Sequence, residues 1–230
     1  MNTLPSYIDH TLLNASAPFG DYSAAVRDCK EFKFKGLCVN PFFVKLVSNL
    51  LHTDPFCKTS VVSVISFPLG LEDILSKCDE IDHAIVHGAT ELDLVANLSS
   101  IKSGDYKRYE DELQAVREES QGHILKLILE VGLLTDEEIK KASEIAIKLG
   151  YNFLKTSTGV NVRLPFEETF RYSKMLVEIT NGTRTEVKAS GGISSLDQCR
   201  KLIDIGVKRI GTSQAVKIME ELNNEKRVSK

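Results

Sequence analysis

No stretch of this 230-residue chain approaches the roughly 18 consecutive apolar residues that a membrane helix requires. Charge of one sign is equally scarce: the formal net charge is −3, and acids and bases are mixed along the sequence. That excludes the basic patch of a nucleic-acid binder and the polybasic motif of a membrane-surface protein. The short run Lys226-Arg227-Val228-Ser229-Lys230 reads as a solvated end. Cysteine is sparse and unpaired. Cys29, Cys38, Cys57, Cys78 and Cys199 stand singly, their number is odd, and no Cys-x-x-Cys occurs. With no leader pattern ahead of them, a cytoplasmic protein with reduced thiols is the expectation. Linkers, low-complexity tracts and charge blocks are missing too, so residues 1–230 are expected to form a single domain.

What is present is ordinary in amount and regular in order. An apolar share of 42% and a charged share of 27% are those of a globular protein. Four glycines each precede a short apolar segment: Gly36 before Leu37-Cys38-Val39-Asn40, Gly88 before Glu91-Leu92-Asp93-Leu94-Val95, Gly150 before Phe153-Leu154-Lys155-Thr156, and Gly206 before Arg209-Ile210-Gly211-Thr212. An amphipathic segment comes before each glycine, which is therefore read as a helix stop tolerant of positive φ. Helix starts agree. Thr135-Asp136-Glu137-Glu138 has capping-box spacing, and Ser194-Ser195-Leu196-Asp197 looks similar. Further apolar runs lie at Tyr7-Ile8, 61–65, 124–129 and 186–189. Eight strand candidates, each followed by a helical segment, predict a (β/α)₈ barrel, for which at least about 200 residues suffice. An open doubly wound sheet is the rival, weakened by the lack of a Gly-x-Gly-x-x-Gly after the first strand.

Barrel chemistry sits at the C-terminal ends of strands. Three charged residues occur where the strands should be apolar: Asp93, Lys155 and Lys188. A buried ion costs several kcal/mol unless it is paired, so each needs a reason. The two lysines lie in consecutive strands at equivalent distances from the following loop. A second cation about 5 Å away, at an effective dielectric near 20, contributes roughly 3 kcal/mol of repulsion, or about two pKa units. With burial added, one lysine approaches neutrality and can attack a carbonyl to form an imine. Asp93 then compensates charge and relays protons. The alternative is a purely structural Lys–Asp–Lys network. Lys126 and Glu130 either join the same polar interior or pair with each other; Asp9 and His10 end the first strand, where Asp9 is placed to pair with a lysine or contact substrate. His83 and His87 have metal-ligand spacing but are read as a solvated helix face.

Glycines also close three of the strands: Gly159, then Gly191-Gly192, then Gly211 followed by Thr212-Ser213. They let backbone N–H groups approach an anion at helix starts, so a phosphate cradle is expected. Tight β/α turns alone are the alternative.

With these residues in hand, the chain resembles the deoxyribose-phosphate aldolase family from Tyr7 to about Val216. The landmarks are Ile8-Asp9-His10-Thr11, Gly36 to Pro41, Ser66-Phe67-Pro68-Leu69-Gly70, Gly88 to Val95, Leu154 to Gly159, Val187 to Ile193, and Arg209 to Ser213, in family order. The resemblance implies reversible cleavage of 2-deoxy-D-ribose 5-phosphate to acetaldehyde and D-glyceraldehyde 3-phosphate. It implies Lys155 as the imine-forming lysine, Lys188 as the lysine lowering its pKa, and Asp93 as the proton-relay acid. Cys38 matches a cysteine near the substrate pocket, and Gly159, Gly191, Gly192, Gly211 and Ser213 match phosphate positions. No metal or organic cofactor is implied, because the imine is itself the electron sink. Related barrels often pair through outer helices, so a homo-oligomer, a dimer first, is expected, although no interface stripe is readable. Three departures touch the phosphate end: Val160-Asn161-Val162-Arg163 after Gly159, Ser194 for an arginine, and Gln214 after Ser213. The last tyrosine is Tyr172, so a proton-transfer role held by a terminal tyrosine in some relatives falls to water or is absent. The competing functions are another Schiff-base aldolase or a transaldolase, a non-catalytic phosphosugar-binding barrel, and, more remotely, a metal-dependent hydrolase.

Overall fold

A computed structural model of the chain describes residues 3–228. The last two residues of the basic end, Ser229 and Lys230, lie outside the described residues, while Lys226 and Arg227 are exposed in the final helix. Eight strands run β1 Ile8–Leu12, β2 Gly36–Val39, β3 Ser60–Ile65, β4 Glu91–Val95, β5 Ile124–Ile128, β6 Phe153–Lys155, β7 Glu186–Ser190 and β8 Arg209–Thr212. Between and after them come α1 Phe19–Phe32, α2 Pro41–His52, α3 Ile74–Val86, α4 Leu98–Lys102, α5 Tyr106–Glu119, α6 Asp136–Lys148, α7 Phe166–Thr180, α8 Leu196–Asp204 and α9 Ala215–Val228. The strands pair in parallel in chain order, and β1 closes on β8 through Asp9 opposite Gly211. This is a single (β/α)₈ barrel, as the alternation predicts. Among the described residues no helix is long and apolar enough to cross a membrane.

Local chemistry explains most of the boundaries. Thr135 caps α6 by accepting from the Glu138 N–H, and Glu138 accepts from the Thr135 N–H in return, completing the capping box. Asp73, Asn97 and Asp105 cap α3, α4 and α5 by the side-chain acceptor alone. Gly88, Gly150 and Gly206 follow α3, α6 and α8 at positive φ, as expected of helix stops.

Four expectations need correction. Gly36 is no helix stop: Lys33 takes the left-handed position after α1, at φ 59°. Gly36 instead opens β2, where a Cβ would lie 2.5 Å from Asp9 Oδ1 and 2.9 Å from a Val62 methyl. Its bareness makes room for a buried carboxylate. The cap of α8 is Ser195, not Ser194. Ser195 Oγ accepts from the Gln198 N–H, and the Gln198 side chain reaches back to the Ser194 N–H. Tyr7 ends a 3₁₀ turn, Leu4–Tyr7, and does not begin the strand. β1 runs on to Leu12, so Asp9 and His10 sit within it and do not end it.

Alternation decides what each strand buries. Leu37, Leu92, Leu94, Leu125, Leu127, Leu154, Val187, Ala189 and Ile210 join the apolar layer under the helices. Cys38, Val62 and Val64 form a second cluster with Leu13 and Phe67, from the opposite faces of β2 and β3. The remaining six strands turn charged residues to that inner side.

Candidate active site

Asp93 is the hub. Its Oδ2 accepts from Lys155 Nζ and Lys188 Nζ at 2.8 Å each, and its Oδ1 accepts from Lys126 Nζ at 2.9 Å. Lys188 also donates to Asp9, whose other oxygen lies 2.6 Å from Arg209. Arg209 reaches Glu91 at 3.1–3.2 Å, and Lys126 meets Glu91 at 2.7 Å. The chain of pairs therefore closes: Asp93, Lys188, Asp9, Arg209, Glu91, Lys126 and back to Asp93. Lys155 hangs from this ring by its one carboxylate partner.

Register places the members. Lys155 stands opposite Lys188, Lys188 opposite Arg209, and Asp93 opposite Lys126. The neighbouring ammonium groups expected from the two lysine strands are thus both on one carboxylate oxygen. All seven side chains are buried, and only pairing makes that tolerable. Three acids, Asp9, Glu91 and Asp93, meet four bases, Lys126, Lys155, Lys188 and Arg209. With every member ionised, the cluster carries one positive charge in excess.

The electrostatics follow from the pairing. Burial would raise the Asp9 carboxyl, but Lys188 and Arg209 outweigh it and hold it at about 2. Burial opposes ionisation of Asp93 too, and Lys126, Lys155 and Lys188 keep it well below the carboxylate range. Burial would lower the Lys188 ammonium, yet the carboxylates of Asp9 and Asp93 raise it. Lys188 is a fixed cation. Cys38 is pushed up to about 11, by burial first and by the Asp93 charge second, so it stands there as a neutral thiol.

The strand ends above this cluster are tied by hydroxyls. Thr156 and Ser157 both donate to the Ser190 carbonyl, and Ser190 Oγ donates to the Ser157 carbonyl at 2.6 Å. Thr169 holds the Gly191 carbonyl, and Thr212 holds the Ile193 carbonyl. Gly159 and Gly191 face each other: a Cβ on Gly159 would sit 3.8 Å from the Gly191 Cα. Gly192 turns at φ 71°, where a Cβ would strike the Leu164 carbonyl at 2.7 Å. Ser213 is exposed just beyond β8. The three glycine-bearing loops are thus adjacent, with one correction. Gly211 lies inside β8, where a Cβ would press the Lys188 stem at 3.2 Å, so its bareness serves the lysine.

Some residues fall elsewhere. Lys126 does not pair with Glu130, which bonds to Thr158 and Asn161. His10 faces Asp28 at 3.9 Å and packs on Phe34, and burial lowers it. His83 and His87 are exposed on and just after α3. A cavity of about 480 Å³ lined by Lys33, Lys35, Phe56 and Lys58 opens at the N-terminal strand ends, away from the cluster. Glu91 and Arg209 are the members that the sequence reading passed over. Glu91 is two residues from Asp93 and so shares its face, a signal that period-two counting contains.

A family model described as DeoC/LacD family aldolase matches residues 3–213. A deoxyribose-phosphate aldolase of Finegoldia magna is 41% identical over 217 residues, covering 94% of this chain and 99% of that protein. The solved structure of QR15, an aldolase, superposes with a TM-score of 0.90 at 36% identity and covers 100% of both chains. The tetrameric deoxyribose phosphate aldolase from Aeropyrum pernix gives 0.83 at 30% identity, covering 96% of this chain and 91% of its own.

Proposed function

The chain belongs to the DeoC/LacD family of aldolases, and from that premise we propose that it reversibly cleaves 2-deoxy-D-ribose 5-phosphate to acetaldehyde and D-glyceraldehyde 3-phosphate. This is the carbon–carbon lyase step of deoxyribose phosphate breakdown. One observation carries the reading: Lys155, 3% exposed at a strand end, has a single carboxylate partner in a cluster holding one base more than acids.

The steps follow from that placement. Lys155 Nζ attacks the C1 carbonyl of the open-chain sugar, a proton passes from nitrogen to oxygen, and water leaves as the imine forms. Asp93, bonded to Lys155, accepts the C3 hydroxyl proton through water. The C2–C3 bond then breaks, its electron pair moves into the imine, and D-glyceraldehyde 3-phosphate departs. A two-carbon enamine remains on Lys155. Protonation of its terminal carbon and hydrolysis release acetaldehyde and the free amine. Lys188 stays cationic between Asp9 and Asp93, on the same Asp93 oxygen that holds Lys155. Cys38 belongs to the inner wall beside these groups. Gly159, Gly191, Gly192 and Ser213 are assigned to the phosphate, through backbone N–H groups and not through cations.

The same reading makes the protein a homo-oligomer, a dimer first. Phe42, 77% exposed, and Phe19 cluster with Phe43 on α1 and α2, and the A. pernix relative is tetrameric. A cytoplasmic location fits five free thiols.

Intact-protein mass spectrometry after acetaldehyde and borohydride tests the chemistry, on wild type and Lys155→Ala. A reduced two-carbon adduct on wild type alone is expected. No adduct on wild type sinks the aldolase, and an adduct persisting on the variant moves the nucleophile, with Lys188 next in line.

A further inference from the structure

Among the described residues two buried carboxylates stand outside the ring: Glu112, paired with Lys77, and Glu130. Glu130 lies two residues past the end of β5, has no exposed surface, and adopts the left-handed conformation, φ 51°. The backbone on either side of it is tied to the lysine strand. The Leu129 N–H donates to the Lys155 carbonyl, and the Val131 N–H donates to the Thr156 carbonyl. A side chain other than glycine held in this conformation points to a local requirement.

That requirement is visible in its partners. Glu130 Oε2 accepts from the Thr158 N–H at 3.2 Å, from the Thr158 hydroxyl, and from Asn161 Nδ2 at 3.3 Å. Thr158 Oγ1 in turn accepts from the Val160 and Asn161 N–H groups at 3.1 and 3.2 Å. Asn161 Nδ2 also donates to the Pro68 carbonyl at 2.7 Å, joining the β3–α3 connection to the β6–α7 connection. One oxygen therefore organises residues 158–161, and Gly159 lies inside that span against Gly191. The other oxygen, Oε1, is buried without a partner among the described residues. Burial pushes the carboxyl up, while the Thr158 and Asn161 bonds and the Lys155 charge oppose this.

We propose that Glu130 is a positioning residue for the phosphate end of the substrate. It fixes the Thr158–Asn161 turn, and so the spacing of Gly159 from Gly191, without taking part in the imine chemistry. This rests on the aldolase reading above, and the two fail separately. Asn161 is the local reason: where the chain departs from the family pattern after Gly159, a side chain long enough to span Glu130 and Pro68 holds the turn.

The test measures steady-state cleavage of 2-deoxyribose 5-phosphate and of unphosphorylated 2-deoxyribose, with acetaldehyde–borohydride trapping, for wild type, Glu130→Ala, Glu130→Gln and Asn161→Ala. Glu130→Ala is expected to raise KM for the phosphorylated sugar about tenfold or more. Its kcat, its kcat/KM for the unphosphorylated sugar and its trapping rate stay within about twofold. Glu130→Gln keeps an acceptor for Thr158 and Asn161, so KM returns close to wild type. Asn161→Ala, at an exposed residue that folding tolerates, moves KM in the same direction by a smaller factor. Unchanged KM in Glu130→Ala and Asn161→Ala overturns the proposal, as does an equal loss on both sugars or a loss of trapping. If Glu130→Ala fails to fold, the KM of Asn161→Ala on the two sugars decides the matter. Failure of wild type to trap acetaldehyde instead sinks the aldolase reading.

Discussion

Asp9 shows how much one side chain can depend on its surroundings. It has Lys188 on one oxygen and Arg209 on the other, and Gly36 leaves the space it fills. Its carboxyl is held at about 2 in the folded protein against 3.8 ordinarily. The unfolded chain therefore takes up this proton first, so the stabilisation is complete above about pH 4 and is lost as pH falls toward 2. The share of Asp9 is roughly 2 kcal/mol. Urea unfolding followed from pH 5 to pH 2 should show that loss in wild type and a flatter profile in Asp9→Asn. An unchanged slope in the variant would assign the acid sensitivity to Glu91 and Asp93 alone. At neutral pH the same variant leaves Lys188 and Arg209 short of a counter-charge. Removing one partner of a buried pair costs about 3–5 kcal/mol.

At the scale of elements, much that depends on near neighbours could be read from the sequence, though the end of α1 and the cap of α8 fall at Lys33 and Ser195. The α6 capping box closes within four residues, and Gly88, Gly150 and Gly206 end their helices where the pattern breaks. Thr135→Ala removes the acceptor for the Glu138 N–H at an exposed helix end. It should cost about 1 kcal/mol in denaturant unfolding and leave the aldol reaction untouched. A larger loss, or a change in kcat, would mean that α6 supports the strand ends more directly. Asp93, Lys155 and Lys188 stood out because charge inside an apolar run is costly. Glu91 and Arg209 did not, because each is the first residue of its strand, where a charge usually meets water. The partner of Lys126 was open for another reason. Lys126 and Glu130 are four residues apart, but Glu91 comes within 2.7 Å of Lys126 only through the pairing of β4 with β5. The Ser66–Gly70 motif likewise had no readable cause. Its reason is a left-handed Ser66 bonded to Glu80, and a Gly70 whose Cβ would meet the Ala96 carbonyl at 2.3 Å.

For the whole molecule, the number and order of strands were legible, while the ring of charges across them was not. Its distribution along the chain is lopsided. All three acids lie on β1 and β4, and all four bases lie on β5 to β8. Neither half can bury its own interior charges. Cutting the chain at Gly122, an exposed turn between α5 and β5, therefore tests the barrel as a unit. Fragments 1–121 and 122–230 should each lack a cooperative thermal transition by circular dichroism, and refolding them together should restore one. A cooperative transition in either fragment alone would show that the ring does not decide folding.

The same asymmetry has a direction in time. A ribosome releases the interior acids first, and for more than half of synthesis Asp9, Glu91 and Asp93 have no cation from the ring with which to leave water. Lys126, Lys155 and Lys188 then arrive one by one. The last counter-charge, Arg209, arrives on β8, the strand that seals the barrel against β1. The nascent chain thus carries its own timer: the second cation on Asp9 and the closure of the barrel arrive together, on the last strand to be made.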